Sequence, residues 1–474
     1  MRKLILLSLA FLFCYPDCVF GWNEGEKVVY VSSSVGDDAN DGSIEKPFRT
    51  VNNPKIPHKD VIIRLKCGDV FFESLSGYTG VVIESYGRGE RPVLCGFKVL
   101  ENPSAWVQAG ENLWKLDMFR DDCFSGFNDD IEHLNDIGCI YMPDSNRMFG
   151  HIVQHRKDLK ASGDIFLTDK FKQDDMDPET FRYVTLYYDG NPAELGKMCF
   201  SVCSHGISGL DSCEVKNITV RGFSKHGISG INNSLIENCT VDVIGGSIQF
   251  DTPRWTRYGN GIQFWVKSLF AKNSIIQNCV ISRTYDCGST IQGSPVDVSN
   301  PENICFRKNM YFFCRQAFEH FLNSSNTKPC YENCGFTDNI CFRMGENMFS
   351  SPEGRDAAVL SYENNVKNIA IKDNVFYGSS YYCSRLKPVG MTGNKVYIYP
   401  GQYLNHCHYV NGYDSIYVED EKSIEKYRQW SMDDSDIRIL ERGSKKDRRI
   451  GKSVARKIYR KADSLQRELL KDYL

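Results

Sequence analysis

The segment LIENCTV, residues 235–241, sets the fold, because four further copies of its pattern follow it along the chain. Each copy has an apolar residue, two other residues, an asparagine and then a strand-like run. The later copies are IIQNCVI (275–281), FRKNMYF (306–312), FTDNICF (336–342) and IKDNVFY (371–377). The asparagines of the five copies are Asn238, Asn278, Asn309, Asn339 and Asn374, at successive separations of 40, 31, 30 and 35 residues. Such unequal spacing favours stacked coils with loop insertions over a strictly regular array.

The residues around each asparagine predict strands and turns. Val, Ile, Phe, Tyr and Cys alternate in short runs that Gly and Asn interrupt, and no helical period is sustained. A strand that cannot bury its face alone must stack on the next copy. If every coil turns at the same place, the asparagines superpose and their amides satisfy the backbone groups of the turns. The repeat therefore predicts an all-β fold, a right-handed parallel β-helix, with the five asparagines as a structural ladder. Propellers and sandwiches would show closer and more regular hairpin turns.

Other phrases in the chain carry a family resemblance. They are YVSSSVGDDANDGSIEKPFRTV (30–51), SYGRGERPVLCGF (85–97), GDIFLTDKF (163–171) and VTLYYDGNPAE (184–194). Together with the repeat, they resemble the pectate-lyase-like right-handed β-helix proteins of secreted bacterial carbohydrate degradation, over most of residues 28–400. The resemblance implies the architecture and a carbohydrate ligand. It does not fix the reaction, because the same fold carries lyases, hydrolases, epimerases and binding proteins.

The acidic loop within the first phrase does not match an EF-hand. Counted from Asp37, its third and twelfth positions are Ala39 and Phe48, where calcium requires oxygen ligands. The resemblance implies instead that this loop connects the first strand to the first coil. A looser calcium site is an open alternative, and its ligands would be Asp37, Asp38 and Asp41.

The chain is expected to divide into five segments. They are a signal peptide (1–21), the first strand and coils (22–100), a β-rich insertion (101–200), the main β-helix (201–417) and a helical, basic tail (418–474). The signal peptide is inferred from Arg2 and Lys3 followed by an apolar run, Leu4–Phe13, that is shorter than the roughly 20 residues of a membrane span. The sequence therefore predicts a secreted or periplasmic bacterial protein with no membrane span.

Charge and cysteine content exclude some function classes. The formal net charge of −3 argues against global attraction to nucleic acid, and the protein is expected to be a monomer. Residues 441–474 nevertheless hold 12 Lys or Arg against 5 Asp or Glu, and this tail either lies on the end of the stack or contacts an acidic glycan or the cell envelope. The 19 cysteines include no CxxC pair typical of metal sites, and they are expected to be mostly buried thiols.

The outward residues after each turn are the candidates for chemistry. Arg283, Arg315 and Arg343 follow successive asparagines and are expected to line a groove for carboxylates or sulfates, unless each pairs with a neighbouring acid. β-Elimination from a uronic acid needs a neutralised carboxylate, a base and an acid. The predicted catalytic set is His226, Tyr258, Arg283, Tyr285, Arg315 and His320. The predicted substrate-binding set is Lys225, Arg257, Asn260, Gln263, Trp265, Asp286, Gln292, Glu319 and Arg343.

This set favours a polysaccharide lyase that acts on an acidic polysaccharide, such as pectin or a glycosaminoglycan. A glycoside hydrolase is the alternative, and it needs two carboxylates. Asp286 and Glu319 are the best pair, with Asp251 or Glu346 as substitutes. The third possibility is a non-catalytic β-helix that binds glycans through its arginine and aromatic side chains.

Overall fold

The computed structural model describes residues 27–124, 136–170, 174, 177, 179–202, 204–249, 256–266, 271–293, 300–322, 330–346, 356–361, 369–384, 390–406, 415–431 and 433–474. Strands are the most abundant regular element, and the strands of the three longest sheets pair in parallel, apart from Tyr403–His406 with Ile416–Tyr417 at one edge. The predicted all-β fold, a parallel β-helix, is confirmed.

Three sheets, A, B and C, form the sides of the helix, with ten strands each in the described residues. Sheet A contains β1 (Lys27–Val31), β2 (Val61–Lys66), β5 (Val82–Tyr86), β17 (Glu214–Lys216), β20 (Leu235–Glu237), β23 (Lys272–Gln277), β26 (Glu302–Arg307), β29 (Cys334–Thr337), β32 (Ile369–Lys372) and β35 (Met391–Thr392). Sheet B contains β4 (Leu75–Thr79), β16 (Ile207–Asp211), β19 (Ile228–Asn232), β22 (Ile262–Val266), β25 (Cys287–Gly293), β28 (Gln316–Leu322), β31 (Ala357–Ser361), β34 (Tyr381–Ser384), β37 (Tyr403–His406) and β38 (Ile416–Tyr417). Sheet C contains β3 (Val70–Phe71), β6 (Val93–Cys95), β18 (Thr219–Arg221), β21 (Thr240–Ile244), β24 (Val280–Thr284), β27 (Met310–Phe312), β30 (Ile340–Phe342), β33 (Val375–Tyr377), β36 (Lys395–Ile398) and β39 (Asp436–Ile439).

Each coil of the main stack visits sheets B, A and C in turn, and its strands pair in parallel with those of the next coil. The register places apolar residues directly over one another. In sheet A one such inward column is Val215, Ile236, Ile276, Phe306, Phe336, Ile371 and Met391. All seven are buried in one continuous core. Stacked coils therefore bury the apolar faces that single strands would leave exposed.

A ladder of buried amides is present, but it includes only the later repeats. Asn309 Oδ1 accepts the backbone N–H of Cys279 at 2.9 Å, and Asn339 Oδ1 accepts that of Asn309 at 2.9 Å. Asn374 and Asn394 continue the column in the same way, at 2.9 and 3.0 Å. These four side chains are fully buried.

The prediction that all five repeat asparagines share this ladder is wrong for the first two copies. Asn238 and Asn278 stand one position earlier in the coil, where they adopt left-handed φ values of +52° and +57°. In those copies a buried cysteine, Cys239 or Cys279, occupies the inward position. Asparagine suits both places, because its side chain tolerates the left-handed region and also satisfies turn backbone.

An insertion of two small sheets lies between the first coils and the main stack in sequence, whereas in the structure β4, β5 and β6 pair directly with β16, β17 and β18. One sheet contains β7 (Phe97–Val99), β10 (Ile140–Met142), β11 (Arg147–Phe149) and β15 (Cys199–Ser201). The other contains β8 (Val107–Gly110), β9 (Leu113–Asp117), β12 (His151–Ile152), β13 (Asp164–Phe166) and β14 (Tyr183–Tyr187). Short 3-10 turns span Pro103–Ala105, Arg156–Asp158 and Pro192–Glu194.

The C-terminal tail contains α1 (Glu421–Trp430), α2 (Lys445–Tyr459), α3 (Ser464–Leu470) and a 3-10 turn (Lys471–Tyr473). Val454 and Ile458 of α2 pack in one cluster with Phe342 and Tyr377 of sheet C. A buried ion cluster anchors α3, because Arg221 pairs with both Asp463 and Asp242. The tail and the insertion therefore cover outer parts of sheet C.

The fifteen cysteines in the described residues are all free thiols, and thirteen of them are buried. None of the helices in the described ranges is long and apolar enough to cross a membrane. The predicted signal peptide lies outside the described residues.

Candidate active site on sheet B

The outer face of sheet B carries polar side chains in the middle of the stack. In β28, Phe318 packs in the core and His320 lies near the rings of Phe318 and Tyr331, with centroids 5.8 Å apart in both pairs. Glu319, between them, points to the opposite side, because side chains alternate along a strand. Thr290 of β25 is in register with Glu319 and shares its outward face.

Asp286, Cys287 and Glu319 meet at one end of this face. A carboxylate oxygen of Asp286, one of Glu319 and the Cys287 Sγ all lie within 4.8 Å of one another. Asp286 directly precedes β25, whereas Glu319 of the adjoining strand pairs with Thr290, so their side chains and not the strand register bring the two carboxylates together. The Cys287 thiol donates to Gln316 Oε1 at 2.6 Å and to Glu319 Oε2 at 3.2 Å. The Asp286 side chain is 28% exposed, whereas Glu319 is 4% exposed.

Arg315 adds a positive charge between two carboxylates. Its Nη1 lies 3.9 Å from Asp286 Oδ1, and its Nε lies 3.4 Å from Asp356 Oδ1. Burial raises the pKa of the Asp356 carboxyl, and Arg315 opposes that effect. Burial, reinforced by the charge of Glu319, also raises the pKa of the Cys287 thiol well above its ordinary value. Cys287 therefore acts as a protonated hydrogen-bond donor.

The same three residues, Asp286, Cys287 and Glu319, are of the types that bind divalent metal ions. A metal bound there would have to displace the proton of the Cys287 thiol, since the thiolate is the ligand form. The burial that raises the pKa of this thiol opposes that step. In the structure as it stands the group is two carboxylates with a thiol donor, and whether a metal ion binds there stays a prediction.

Thr290 offers a further polar group beside the carboxylates. Its Oγ1 is buried and has no hydrogen-bond partner among the described residues. Gln263 and Glu319 flank it in register on the neighbouring strands. Buried hydroxyls usually have a partner, so an ordered water or a bound hydroxyl is the kind of group expected here.

A second cluster lies next to Asp286 on the preceding coils. The Asp286 N–H donates to Gly259 O at 3.1 Å, which brings Tyr258 alongside. Tyr258 meets the ring of His226 edge-on at 5.2 Å, and the Lys225 Nζ lies 5.4 Å from the Tyr258 ring centroid. Burial, reinforced by its neighbours His205 and Lys225, lowers the pKa of His226 well below its ordinary value. His226 is therefore a neutral ring at neutral pH.

Asn260 completes this cluster through its backbone and side chain. Its N–H donates to His226 Nδ1 at 3.2 Å, and its Oδ1 accepts the Cys287 N–H at 3.2 Å. Both contacts hold neighbouring coils together, which gives this buried side chain a positioning role.

Aromatic rings flank the carboxylates on the same sheet. Trp265 of β22 is 46% exposed, and it stands in register with Gln292 of β25 and then Phe321 of β28. Gln292 itself is largely buried between them. An exposed indole on a polar sheet face is suited to stacking on a sugar ring.

A second aromatic group lies further along sheet B. Tyr381, Tyr403 and Tyr417 are in register with one another on β34, β37 and β38. The Tyr403 ring is edge-on to the rings of Tyr381 and Tyr417, at 5.4 and 5.1 Å. Tyr417 is 44% exposed. Tyr381 of this row pairs with Ala357 of β31. Two residues further on, Val359 pairs with Phe318 of β28, so the same register places Ala357 level with Gln316.

The prediction that three arginines line one groove is wrong. Arg283 is completely buried and pairs with Asp242, so it has no surface for a glycan. Arg343 occupies the same corner two coils away, pairs with Glu346 and lies 4.9 Å from the ring of Tyr473 in the tail. Of the three, Arg315 alone lies beside the sheet B carboxylates.

Other predicted site residues also have structural positions. Tyr285 is buried in a cluster with Phe97 and Tyr141 of the insertion. Arg257 is buried against Asp136, with Nη1 2.8 Å from the Asp136 carboxylate. His320 faces the core, where burial lowers its pKa to about 3. None of these three therefore presents its functional group to the outer face of sheet B.

The structure brings Lys225, His226, Tyr258, Asp286, Arg315 and Glu319 to one end of sheet B, with Gln263, Gln292 and Trp265 on the same face. Sequence reasoning missed Cys287, Asp356 and the tyrosine row. Cys287 is adjacent to Asp286 and could have been found from that neighbour, whereas Asp356 follows a stretch without a repeat asparagine. The substitute Asp251 lies outside the described residues, and Glu346 pairs with Arg343 and Arg442 beside the tail.

In the acidic loop, the carboxylates accept hydrogen bonds from backbone N–H groups of the loop itself. The Asp38 carboxylate accepts the N–H groups of Arg49 and Thr50, both at 3.0 Å. Asp41 accepts the N–H of Ser43 at 2.9 Å, and Asp37 accepts that of Ala39 at 3.0 Å. These bonds explain the loop without calcium, and a calcium requirement stays a prediction.

Comparisons with known proteins give fold-level similarity only. No protein-family model matches the chain, and no curated protein sequence matches it. The pectate-lyase-like assignment therefore stays a resemblance.

Several solved structures align over most of the chain. One is described as a glycoside hydrolase, with 10% identity, a TM-score of 0.41, and coverage of 80% of this chain and 94% of that one. Another is XylC in complex with xylose, with 12% identity, a TM-score of 0.43, and coverage of 83% and 71%. A third is the GH136 lacto-N-biosidase of Eubacterium ramulus, with 12% identity, a TM-score of 0.32, and coverage of 87% and 68%. With TM-scores and sequence identities this low, the alignments do not support a functional assignment, so the function must be argued from the residues of the site.

Proposed function

We propose that this protein is a glycan-cleaving enzyme, and that Asp286 and Glu319 catalyse glycoside hydrolysis with retention of configuration. The observation that carries the proposal is the separation of the two carboxylates, which have oxygens within 4.8 Å of each other. Retaining glycosidases hold their carboxyl groups about 5–5.5 Å apart, whereas inverting enzymes need roughly 6.5–9.5 Å to admit a water molecule. The pair on sheet B fits the first class.

The surroundings suggest which carboxyl takes which role. Arg315 lies 3.9 Å from Asp286 and stabilises a negative charge there, which suits the nucleophile. Glu319 is the more deeply buried of the two, and burial favours the protonated form that a general acid needs. The Cys287 thiol is a weak donor, so it orients Glu319 without strongly favouring its charge.

The proposed reaction has two steps. In the first, an Asp286 oxygen bonds to the anomeric carbon, the bond from that carbon to the leaving oxygen breaks, and Glu319 gives its proton to that oxygen. In the second, Glu319 takes a proton from water, the water oxygen attacks the anomeric carbon, and the bond to Asp286 breaks. The released sugar has its original configuration, and both carboxyl groups return to their starting states.

The aromatic groups suggest how a glycan would lie. Trp265 and the row of Tyr381, Tyr403 and Tyr417 share the outer face of sheet B with the carboxylates. Strands of successive coils are about 4.8 Å apart, so a chain of sugars laid along the axis would meet these rings in turn. We therefore expect an oligosaccharide or polysaccharide substrate rather than a monosaccharide glycoside.

The test is incubation of the purified protein with a panel of neutral and acidic glycans, with and without a chelator. We expect new reducing ends without the ultraviolet absorbance of unsaturated uronates. Asp286→Asn and Glu319→Gln should each lower the rate at least a hundredfold, the usual minimum for loss of a positioned acid or base. The matched controls Asp338→Asn and Glu302→Gln lie off the sheet B face and should keep full activity. Activity in both site variants would refute the assignment, and loss with the chelator would add a metal ion.

β-Elimination is the second candidate, and the cluster of Lys225, His226 and Tyr258 beside Asp286 and Arg315 favours it. Arg315 would neutralise a uronate, and Tyr258 or His226 would move the proton. Rising ultraviolet absorbance together with reducing ends, lost in Tyr258→Phe, would support this reaction over hydrolysis.

We also propose that the protein is exported and monomeric. The basis for export is the N-terminal segment with Arg2, Lys3 and the apolar run Leu4–Phe13. The mass of the mature protein from the medium or periplasm, and its elution volume on gel filtration, test the two claims. An uncleaved N-terminus or a dimer would contradict them.

A further inference from the structure

Helix α2 presents a line of positive charge to solvent. Its exposed cations are Lys445, Lys446, Arg448, Arg449, Lys452, Arg456 and Lys457, and Arg460 and Lys461 follow just beyond its end. Five of them recur at helical spacings of three and four residues and share one stripe, namely Lys445, Arg449, Lys452, Arg456 and Arg460. At about 1.5 Å per residue, this stripe is about 22 Å long.

These charges have no counter-charge on the helix surface. None of the nine cations forms an ion pair with a described residue. The one acidic residue of α2, Asp447, points into the protein, where it accepts bonds from Tyr377 at 2.6 Å and Tyr399 at 2.9 Å. The exposed face of the helix is therefore uniformly positive.

The helix is held rigidly in place under this stripe. Ser444 caps its N-terminus by accepting the N–H of Asp447, and Val454, Ala455 and Ile458 pack in the cluster with sheet C. The buried pair of Arg221 and Asp463 fixes the following turn. The charges are thus presented in a fixed line and not on a loose arm.

The fold does not explain this charge pattern. Five pairs four residues apart carry like charges, and each such pair destabilises a helix. Neutral polar residues at the same positions would cover the same apolar face without that repulsion. The residues that anchor the helix are on the opposite side, so the exposed cations are not needed for docking.

We propose that α2 is a binding surface for an extended, anionic polysaccharide, separate from the carboxylate site on sheet B. A line of guanidinium and ammonium groups matches a linear chain of carboxylates or sulfates. The exposed face has no apolar side chain to insert into a bilayer, which disfavours a membrane surface. It also has no exposed aromatic ring for stacking bases. The proposal does not depend on the reaction at Asp286 and Glu319.

The test measures binding of the full mature protein to heparin and to polygalacturonate, by calorimetry and by salt elution from immobilised heparin. The test variant reverses three charges of the stripe, Arg449→Glu, Lys452→Glu and Arg456→Glu. The control reverses three exposed charges elsewhere, Lys46→Glu, Arg88→Glu and Lys157→Glu, and has the same net charge. Dextran, phosphatidylglycerol vesicles and duplex DNA are the comparison ligands.

We expect the control variant to bind heparin like the natural protein, and the stripe variant to bind at least about tenfold more weakly. The slope of log Kd against the logarithm of salt concentration should be smaller by roughly 2 to 3 in the stripe variant, because three ionic contacts are lost. The melting temperature of the stripe variant should stay equal or rise, which separates loss of binding from loss of folding. Equal weakening in both variants, no binding of either acidic polysaccharide, or tighter binding to vesicles or DNA than to heparin would each overturn the proposal.

Discussion

Replacement of Asn309 by alanine should destabilise the central coils, because this side chain satisfies two buried backbone groups. Its Oδ1 accepts the N–H of Cys279 at 2.9 Å, and its Nδ2 donates to the carbonyl of Ile276 at 3.0 Å. The side chain is completely buried, so water does not reach either group after the substitution. Alanine thus leaves one donor and one acceptor without a partner.

The expected cost follows from these two groups. A buried polar group left unsatisfied costs about 1 to 3 kcal/mol, so Asn309→Ala should lower the free energy of unfolding by about 2 to 6 kcal/mol. Asn278→Gly is the matched control. Asn278 stands in the left-handed region at φ +57°, and its side-chain contacts are long, at 3.4 and 3.5 Å. Glycine adopts this φ freely, so the control should change stability by less than about 1 kcal/mol.

The assay is chemical denaturation followed by circular dichroism, together with hydrogen exchange. Exchange should locate the loss at the amide of Cys279, whose acceptor is removed, while the amide at position 309 keeps its bond to Asn339. A cost below about 1 kcal/mol for Asn309→Ala, or an equal cost for Asn278→Gly, would refute the division of the asparagines into two columns.

Three further predictions concern the ion cluster, acid stability and substrate affinity. Burial alone would raise the pKa of Asp242, but Arg283 and Arg221 outweigh it and hold it well below the usual value. Asp242→Asn removes the carboxylate partner of buried Arg283, while Arg221 keeps Asp463, and should cost about 3 to 5 kcal/mol in denaturation. Burial lowers the pKa of His320 to about 3, and the unfolded chain binds this proton near pH 6.5. Stability should therefore fall as the pH drops from about 6.5 towards 3, and His320→Leu should reduce that loss relative to its own stability at pH 7. Trp265→Ala should raise KM on a long glycan roughly three- to tenfold with kcat nearly unchanged, and equal loss on short and long substrates would contradict stacking.

The fold could be predicted from the sequence because stacking requires the same residue types in every coil. The inward apolar column and the amide ladder both need the same residue types in every coil, so they leave a pattern that survives loop insertions. The one-residue shift between Asn278 and Asn309 was missed because asparagine suits the left-handed corner as well as the inward position. A second ladder joins the side chains of Asn233, Asn273, Asn303 and Asn333 at 3.0, 2.9 and 2.8 Å. Its members stand five or six residues before the first four repeat asparagines, and that spacing could have revealed it.

The candidate site was harder to predict than the fold. Arg283 and Arg315 follow successive asparagines, yet two residues separate their positions within the coil, and that offset turns one guanidinium towards buried Asp242 and the other towards Asp286. The burial of Tyr285 depends on the insertion, which joins the stack from more than a hundred residues away in sequence. Asp286 and Glu319 were predicted as the best carboxylate pair because their coils are adjacent in sequence, but the sequence could not give the separation of their oxygens, which depends on the side chains.

The most direct test of the account is the anomeric configuration of the first product, followed by proton NMR during turnover of a cleaved glycan. The pair, with carboxylate oxygens within 4.8 Å of each other, predicts that the released sugar first appears with the configuration it had in the substrate, before mutarotation. Asp286→Asn should form almost no product in the same experiment. Inverted product, or an unsaturated uronate in place of a reducing sugar, would contradict the assignment of Asp286 as the nucleophile.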